Sequence, residues 1–463
     1  MLRTTQLRLP LAALGALVTF ACAGSRPASL PAQAPAASAP ARAATALQAP
    51  LQFPTTEELD ASITAPAMLL GQPLGERLAA HAEVVELWRR WAAESERVAL
   101  REYGRTLEGR ELLVGIVTSP ANHARLDAIV VNQRRLADPR GLPDDERDAL
   151  CRSTPAVAYL GCSIHGDETS GVDGGLALAH GLIAGRGERV EALLDDLVIV
   201  VDPCMNPDGR ERFRAMVVQN SGRVPSLDAQ SVSRGRWPRG RGNHYLFDMN
   251  RDWMAGVTPE TRGRWSVLSG LLPQLFVDAH EMGAHDTFLF YPQAAPHNPR
   301  LPARLAHWQQ VFGAAQAAAF DAHGWSYYTR EWADAWGPFY SDAWGSLHGA
   351  VGMLYEQASF GGQSLLRGSG EVVGYREAVE HQAAAFLASL DTLREHREQV
   401  LRDFAAHRAA SLGERAACVI RPTASDERTE WLAGRLRAQG AEVWRATSEL
   451  ERGAARGALG ERV

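Results

Sequence analysis

Apolar residues along this chain gather into short unbroken runs, separated by longer stretches in which they recur at helical spacing. The runs are Leu112–Val117, Ala156–Cys162, Leu197–Val201, Leu275–Asp278 and Val351–Tyr355, each four to seven residues long. Runs of that length and continuity predict strands buried on both faces. Ser170–Ala184, an Ala-rich stretch over Pro302–His323 and a long stretch over Gly374–Arg408 carry the helical period instead. Strands alternating with helices predict an α/β class, with a mixed, mostly parallel central sheet covered by helices on both faces. Beyond it, Ala417–Ile420, Asp426–Gln439 and Glu442–Trp444 repeat a strand, a helix and a strand. One such unit cannot bury its own apolar face, so residues 413–463 read as the start of a second α/β domain that is incomplete, a fragment of something longer.

The first residues follow a different rule. Arg3 and Arg8 precede an apolar run, Leu9–Phe20, that is too short to span a bilayer, and small residues follow. Residues 1–23 therefore read as a signal peptide. Ala21-Cys22-Ala23 suits ordinary cleavage, while Cys22 directly after the run equally suits a lipid acceptor. Residues 24–50, rich in Ala, Pro and Ser, read as a disordered linker, and 51–412 as the main domain. The expected location is outside the cytoplasm: periplasmic, outer-membrane lipoprotein or extracellular, with a lipid on Cys22 as the membrane contact.

Composition removes several functions. The net charge of −6 leaves no basic field for nucleic acid. The 463 residues include no lysine, so all 48 basic side chains are arginines. A phosphate-cradling P-loop and Schiff-base catalysis both need a lysine. Cys151, Cys162, Cys204 and Cys418 match no metal spacing and read as buried thiols.

Four polar clusters stand at or next to the apolar runs. They are His165-Gly166-Asp167-Glu168, Asn206-Pro207-Asp208-Gly209, Asp278-Ala279-His280 and Glu356. Ligands of open α/β sheets sit at the carboxyl ends of strands, so these clusters mark one site. Catalytic zinc takes three protein ligands from His nitrogen and carboxylate oxygen. His165 and Glu168, on a turn leaving one strand, and His280, from a neighbour, supply that set. His285 lies five residues after His280 with Gly283 between, which the helical metalloprotease motif does not allow. Gly161-Cys162-Ser163-Ile164-His165 lacks the second glycine of a nucleophile elbow, and Ser163 reads as strand packing.

With these residues in place the sequence resembles the carboxypeptidase A-like zinc metallocarboxypeptidase family, over roughly residues 55–400. The resemblance implies one zinc held by His165, Glu168 and His280, and Glu356 as general base. It makes Asn250 and Arg251 the grip on a substrate's terminal carboxylate. The Asn206–Gly209 segment and Glu108-Gly109-Arg110 also match. For the oxyanion it implies an arginine shortly before Asn250; Arg241 is the first choice and Arg239 the second. For a substrate-capping tyrosine Tyr340 is the candidate, with Tyr327 and Tyr328 competing. Asp167 stands where the best-known members carry a substrate-binding arginine. Asp342 offers itself as a preference for basic side chains. The implied activity is hydrolysis of C-terminal peptide bonds, with peptide or protein C-termini as partners and no nucleic acid. Two other functions stay open: a zinc amidase or deacylase acting on cell-wall peptides or acylated amino acids, and an inactive surface binding protein.

Overall fold

The computed structural model describes residues 58–224, 226–413, 420 and 426–445. The signal peptide, the linker and most of Ala417–Ile420 lie outside the described residues. Seven strands form the central sheet: β1 (Val98–Arg105), β2 (Glu111–Val117), β3 (Ala156–Cys162), β4 (Leu197–Asp202), β5 (Leu275–Met282), β6 (Phe288–Phe290) and β7 (Val351–Ala358). Their spatial order is β1-β2-β4-β3-β5-β7-β6. The four inner strands β4, β3, β5 and β7 run parallel, and the outer pairings are antiparallel. The sheet is thus mixed with a parallel centre, as the apolar runs predict.

Among the helices, those that bear on the sheet and the site are α1 (His81–Glu94), α2 (Leu126–Ala137), α3 (Ser170–Ala184), α4 (Pro207–Asn220), α5 (Pro259–Leu271), α6 (Leu305–His323), α7 (Ser341–Leu347), α8 (Tyr375–Glu395), α9 (Arg397–Gly413) and α10 (Asp426–Ala438). Strand periodicity divides their partners. Ala156, Ala158, Leu160 and Cys162 of β3 face a core with Trp88 of α1, Leu176 of α3 and Phe386 of α8. Val157 and Tyr159 face the other core, with Ile129 of α2, Leu268 of α5 and Trp344 of α7. Helices cover both faces, which is why β3 and β4 are apolar at every position but the last residues.

Several expectations change in detail. The long helix over Gly374–Arg408 is two helices, α8 and α9, broken at His396, whose φ of −105° and ψ of 16° leave the helical region. Arg397 then turns α9 toward the foot of β3, donating to the carbonyls of Thr154 and Arg152 at 2.6 and 2.9 Å. β5 and β7 run on past Asp278 and Tyr355 because they pair with each other as far as Met282 and Ala358. His280 and Glu356 therefore lie within strands rather than after them. β1 escaped the apolar pattern because it is a half-exposed edge strand, and β6 is only three residues long. Residues 442–444 form no strand among the described residues, so α10 is what the structure describes of the expected second unit. Trp332 and Trp336 are exposed, whereas Trp253 and Trp344 are core.

The turn after α10 is tied to the main body through Gln439. Its Oε1 accepts from Trp344 Nε1 at 2.9 Å, and its Nε2 donates to the Met254 carbonyl at 3.0 Å.

Candidate metal centre

From β3 the chain passes to β4 on one side, and β5 lies on the other. That reversal of strand order opens a crevice at the carboxyl ends of β3 and β5, the usual ligand position in open α/β sheets. His165 and Glu168 leave β3 there. His280 rises from β5 beside them.

The three side chains converge and are buried. Glu168 Oε1 lies 2.7 Å from His165 Nδ1, and its Oε2 lies 2.8 Å from His280 Nδ1. The two Nδ1 atoms are 3.2 Å apart. Each imidazole turns its other nitrogen to a carboxylate: His165 Nε2 to Asp248 Oδ1 at 3.0 Å and His280 Nε2 to Asp278 Oδ2 at 2.8 Å. A carboxylate behind a histidine fixes its orientation and raises its basicity as a ligand. Burial favours the neutral form of both rings, but the charges around them outweigh it. Glu168 raises His165, and Asp278 with Glu168 holds His280 well above its ordinary range. Glu168 feels burial in the opposite sense to its two histidine neighbours, which hold it below the usual carboxylate range. Two imidazole nitrogens and a carboxylate aimed at one point are the donor set of a catalytic zinc site, and they fit the ion.

Glu356 adjoins this group from β7, in register with His280. It is buried and its Oε2 has no hydrogen-bond partner. Burial, partly offset by His280, pushes its carboxyl up to about 8. Glu281, next to His280 but on the opposite face of β5, accepts from the Thr169 and Ser170 amides at 2.9 and 2.6 Å. It holds the start of α3, so the strand sends His280 and Glu281 to different tasks.

The turn carrying His165 and Glu168 rests on main chain. A Cβ on Gly166 would stand 2.1 Å from the Arg210 amide nitrogen, one on Gly209 would stand 2.2 Å from the Gly240 carbonyl oxygen, and the Gly166 amide donates to Gly240 O at 2.9 Å. Three segments thus meet backbone to backbone. Asp208 joins a fourth: it accepts from Thr106 Oγ1 at 2.7 Å and from Arg110 Nη1 at 2.6 Å. The Asn-Pro-Asp-Gly and Glu-Gly-Arg segments are in this way the footing of the ligand turn. Ser163 stands in that turn with a φ of 58°, its hydroxyl donating to the His165 carbonyl, rather than packing within β3.

Arg241 reaches the cluster. Its Nη1 lies 3.2 Å from His165 Nδ1 and its Nη2 lies 2.9 Å from Asp248 Oδ2. Arg239 instead gives its carbonyl to Arg212 and has a left-handed φ of 48°. Asn250 and Arg251 close a single turn capped by Asp248, whose Oδ1 accepts from the Asn250 amide at 2.9 Å. The Asn250 side-chain oxygen is committed, accepting from the Ser341 amide at 3.0 Å, while its Nδ2 stands 3.1 Å from His280 Nε2, which faces Asp278. Arg251 is exposed, and its guanidinium lies 4.6 Å from the ring centre of Tyr340. Tyr327 stacks on Phe290, and the Tyr328 hydroxyl meets Met282 Sδ and Trp332 Nε1, so both pack near β5 and β6. Asp342 is buried and accepts from the Tyr291 hydroxyl, and burial pushes it up to about 6.

Glu108, Asp208 and His244 also lie close together, but Arg110 pairs with both carboxylates and supplies the positive charge there. Three roles were not read from the sequence, although Asp278 and Asn206 stand in its polar clusters. That of Asp278 could have been found, because residues two apart on a strand share a face and it stands two before His280. Asp248 and the side-chain bonds of Asn206 depend on loop geometry that no period reveals.

Residues 84–267 match the zinc carboxypeptidase family. No curated protein is significantly similar to the chain. Among solved structures, a metallo-carboxypeptidase from Burkholderia cenocepacia is 16% identical over 68% of this chain and 68% of that one, with a TM-score of 0.45. A metallo-carboxypeptidase from Pseudomonas aeruginosa, in complex with (2-guanidinoethylmercapto)succinic acid, is 17% identical over 69% and 68%, with a TM-score of 0.43. Carboxypeptidase A from Helicoverpa armigera is 15% identical over 76% and 78%, with a TM-score of 0.44. The matched segment, residues 84–267, holds His165, Glu168, Arg241, Asn250 and Arg251, while His280, Tyr340 and Glu356 lie beyond it; over that segment the chain is similar to the zinc carboxypeptidase family.

Proposed function

We propose that this protein is a zinc-dependent carboxypeptidase that hydrolyses the last peptide bond of its substrates. The observation that carries this reading is the buried convergence of His165, Glu168 and His280 with the unpaired carboxyl of Glu356 beside it. A zinc ion held by those three side chains supplies Lewis-acid polarisation of a carbonyl and acidifies water.

The chain's own residues divide the remaining work. Glu356, in register with His280 and with its Oε2 unpartnered, is placed to take a proton from water and pass it to the departing amine. Asp248 and Asp278 hold the two imidazoles in orientation. Arg241 brings a guanidinium to the cluster, where negative charge develops on the carbonyl oxygen. Arg251 sets its guanidinium over Tyr340 and, with Nη1 donating to the Asn250 carbonyl at 2.8 Å, keeps its remaining N–H groups for a terminal carboxylate. Asn250 holds the start of α7 through its oxygen and keeps its Nδ2 hydrogens as donors beside Arg251 for the terminal carboxylate.

The test is a pair of peptides that differ only in a free or amidated C-terminus, digested with and without a chelator and followed by mass spectrometry. Loss of single C-terminal residues from the free acid, abolished by chelation and restored by zinc, is expected. Cleavage that is internal, or that persists without metal, overturns the reading.

A further inference from the structure

Asn206 belongs to none of the functional groups above, yet its buried side chain joins three segments. Its Oδ1 accepts from the Gly209 amide at 2.9 Å and caps α4. Its Nδ2 donates to the Ile164 carbonyl and to the Arg241 carbonyl, each at 3.1 Å. Both hydrogens of the amide and its oxygen are therefore used, and exchanging oxygen for nitrogen would set an acceptor against two carbonyls. Ile164 precedes the ligand His165. Arg241 is held at its backbone by Asn206 and at its side chain by Asp248.

We propose that Asn206 is a positioning residue that sets Arg241 against the metal cluster. The cap alone does not require asparagine, since serine and aspartate cap helices as well. What asparagine adds is a pair of donors that reach two carbonyls while the oxygen stays on the helix. Arg241 comes from a loop outside the sheet, and the bond from Asn206 ties that loop to the strand end bearing His165. This inference rests on the reading that Arg241 acts on the substrate.

The experiment compares Asn206→Ser, Arg241→Gln and the double variant, measuring kcat, zinc content and thermal midpoint in the zinc-loaded enzyme. Arg241→Gln is expected to lower kcat about 100-fold, the scale of one lost oxyanion donor. Asn206→Ser, which keeps a cap, is expected to lower kcat by about tenfold with zinc content and midpoint near those of the unaltered protein. The double variant is expected to be no worse than Arg241→Gln, because a residue acting through another adds nothing once that other is gone. Multiplying effects, loss of zinc in Asn206→Ser or an unchanged kcat in that variant overturns the positioning role. An unchanged kcat in Arg241→Gln overturns the reading of Arg241 first and the inference with it. Should Asn206→Ser fail to fold, Asn206→Asp, which retains an acceptor at the cap and loses both donors, carries the same comparison.

Discussion

Glu356 and His280 are register partners on adjacent parallel strands, so their side chains rise from the same face of the sheet. Neighbouring strands stand about 4.8 Å apart. The spacing of the proposed base from the proposed ligand His280 is thus set by the sheet ladder, without a loop between. Glu356→Gln keeps size and register but removes the proton acceptor. Turnover is expected to fall by about 10²–10⁴-fold with zinc content unchanged. Retention of most of the activity would take the base role from Glu356.

Arg251 and Tyr340 stack across two separate loops. Arg251→Ala is expected to cost far more on peptides ending in a free carboxylate than on their amides. Tyr340→Phe keeps the stack and is expected to change KM little, whereas Tyr340→Ala is expected to raise it. Equal losses on acid and amide substrates for Arg251→Ala would argue against a carboxylate grip.

Asp278 stands behind His280 at 2.8 Å. Asp278→Asn preserves shape but loses the charge that orients and enriches the imidazole. Zinc affinity is expected to drop about 10–100-fold, read by competition with a chelating dye. An affinity within a factor of two of the original would show that the carboxylate is not needed for the metal.

Gly166 is where the ligand turn meets main chain at 2.1 Å from an ideal Cβ. Gly166→Ala forces backbone apart and is expected to destabilise by about 2 kcal/mol or more, measured by denaturant unfolding. A change below about 0.5 kcal/mol, the scale of an ordinary surface substitution, would mean that the joint can open freely.

His381 supplies a pH dependence away from the metal ligands. Its Nδ1 lies 2.8 Å from Gln357 Oε1, and burial, with the Arg367 and His323 charges, lowers it from 6.5 to about 3. Between those values the unfolded ring binds a proton that the folded ring refuses. Stability contributed by the neutral ring is therefore full above pH 6.5 and is lost as pH falls toward 3, at about 1.4 kcal/mol per pKa unit. His381→Gln is expected to flatten the decline in stability between pH 7 and pH 4. An unaltered slope would place the proton uptake elsewhere.

The parallel centre of the sheet was legible because strands buried on both faces must be apolar throughout, and β3 and α3 match their apolar stretches end to end. Strands that hide only one face, such as β1, carry too little of that signal. His280 and Glu356 stood out as polar residues within apolar strands, and His165 and Glu168 as polar residues on the turn just after one. The bond from the Ser341 amide to Asn250 Oδ1 was not legible, because the two residues stand 91 positions apart in sequence. Likewise the break between α8 and α9 lies in a backbone angle at His396, to which helical periodicity is blind.

The Gln439 tie bears on how the protein can be shortened. A variant ending at residue 412, the boundary suggested by composition, would keep the ligands and Glu356 but lose the side chain that spans Trp344 and Met254. Trp344 lies in α7 and Met254 follows the Asn250–Arg251 turn, so trimming would loosen the substrate end of the cleft before the metal end. Truncation at the chain's natural-looking seam is expected to weaken peptide capture while sparing zinc retention.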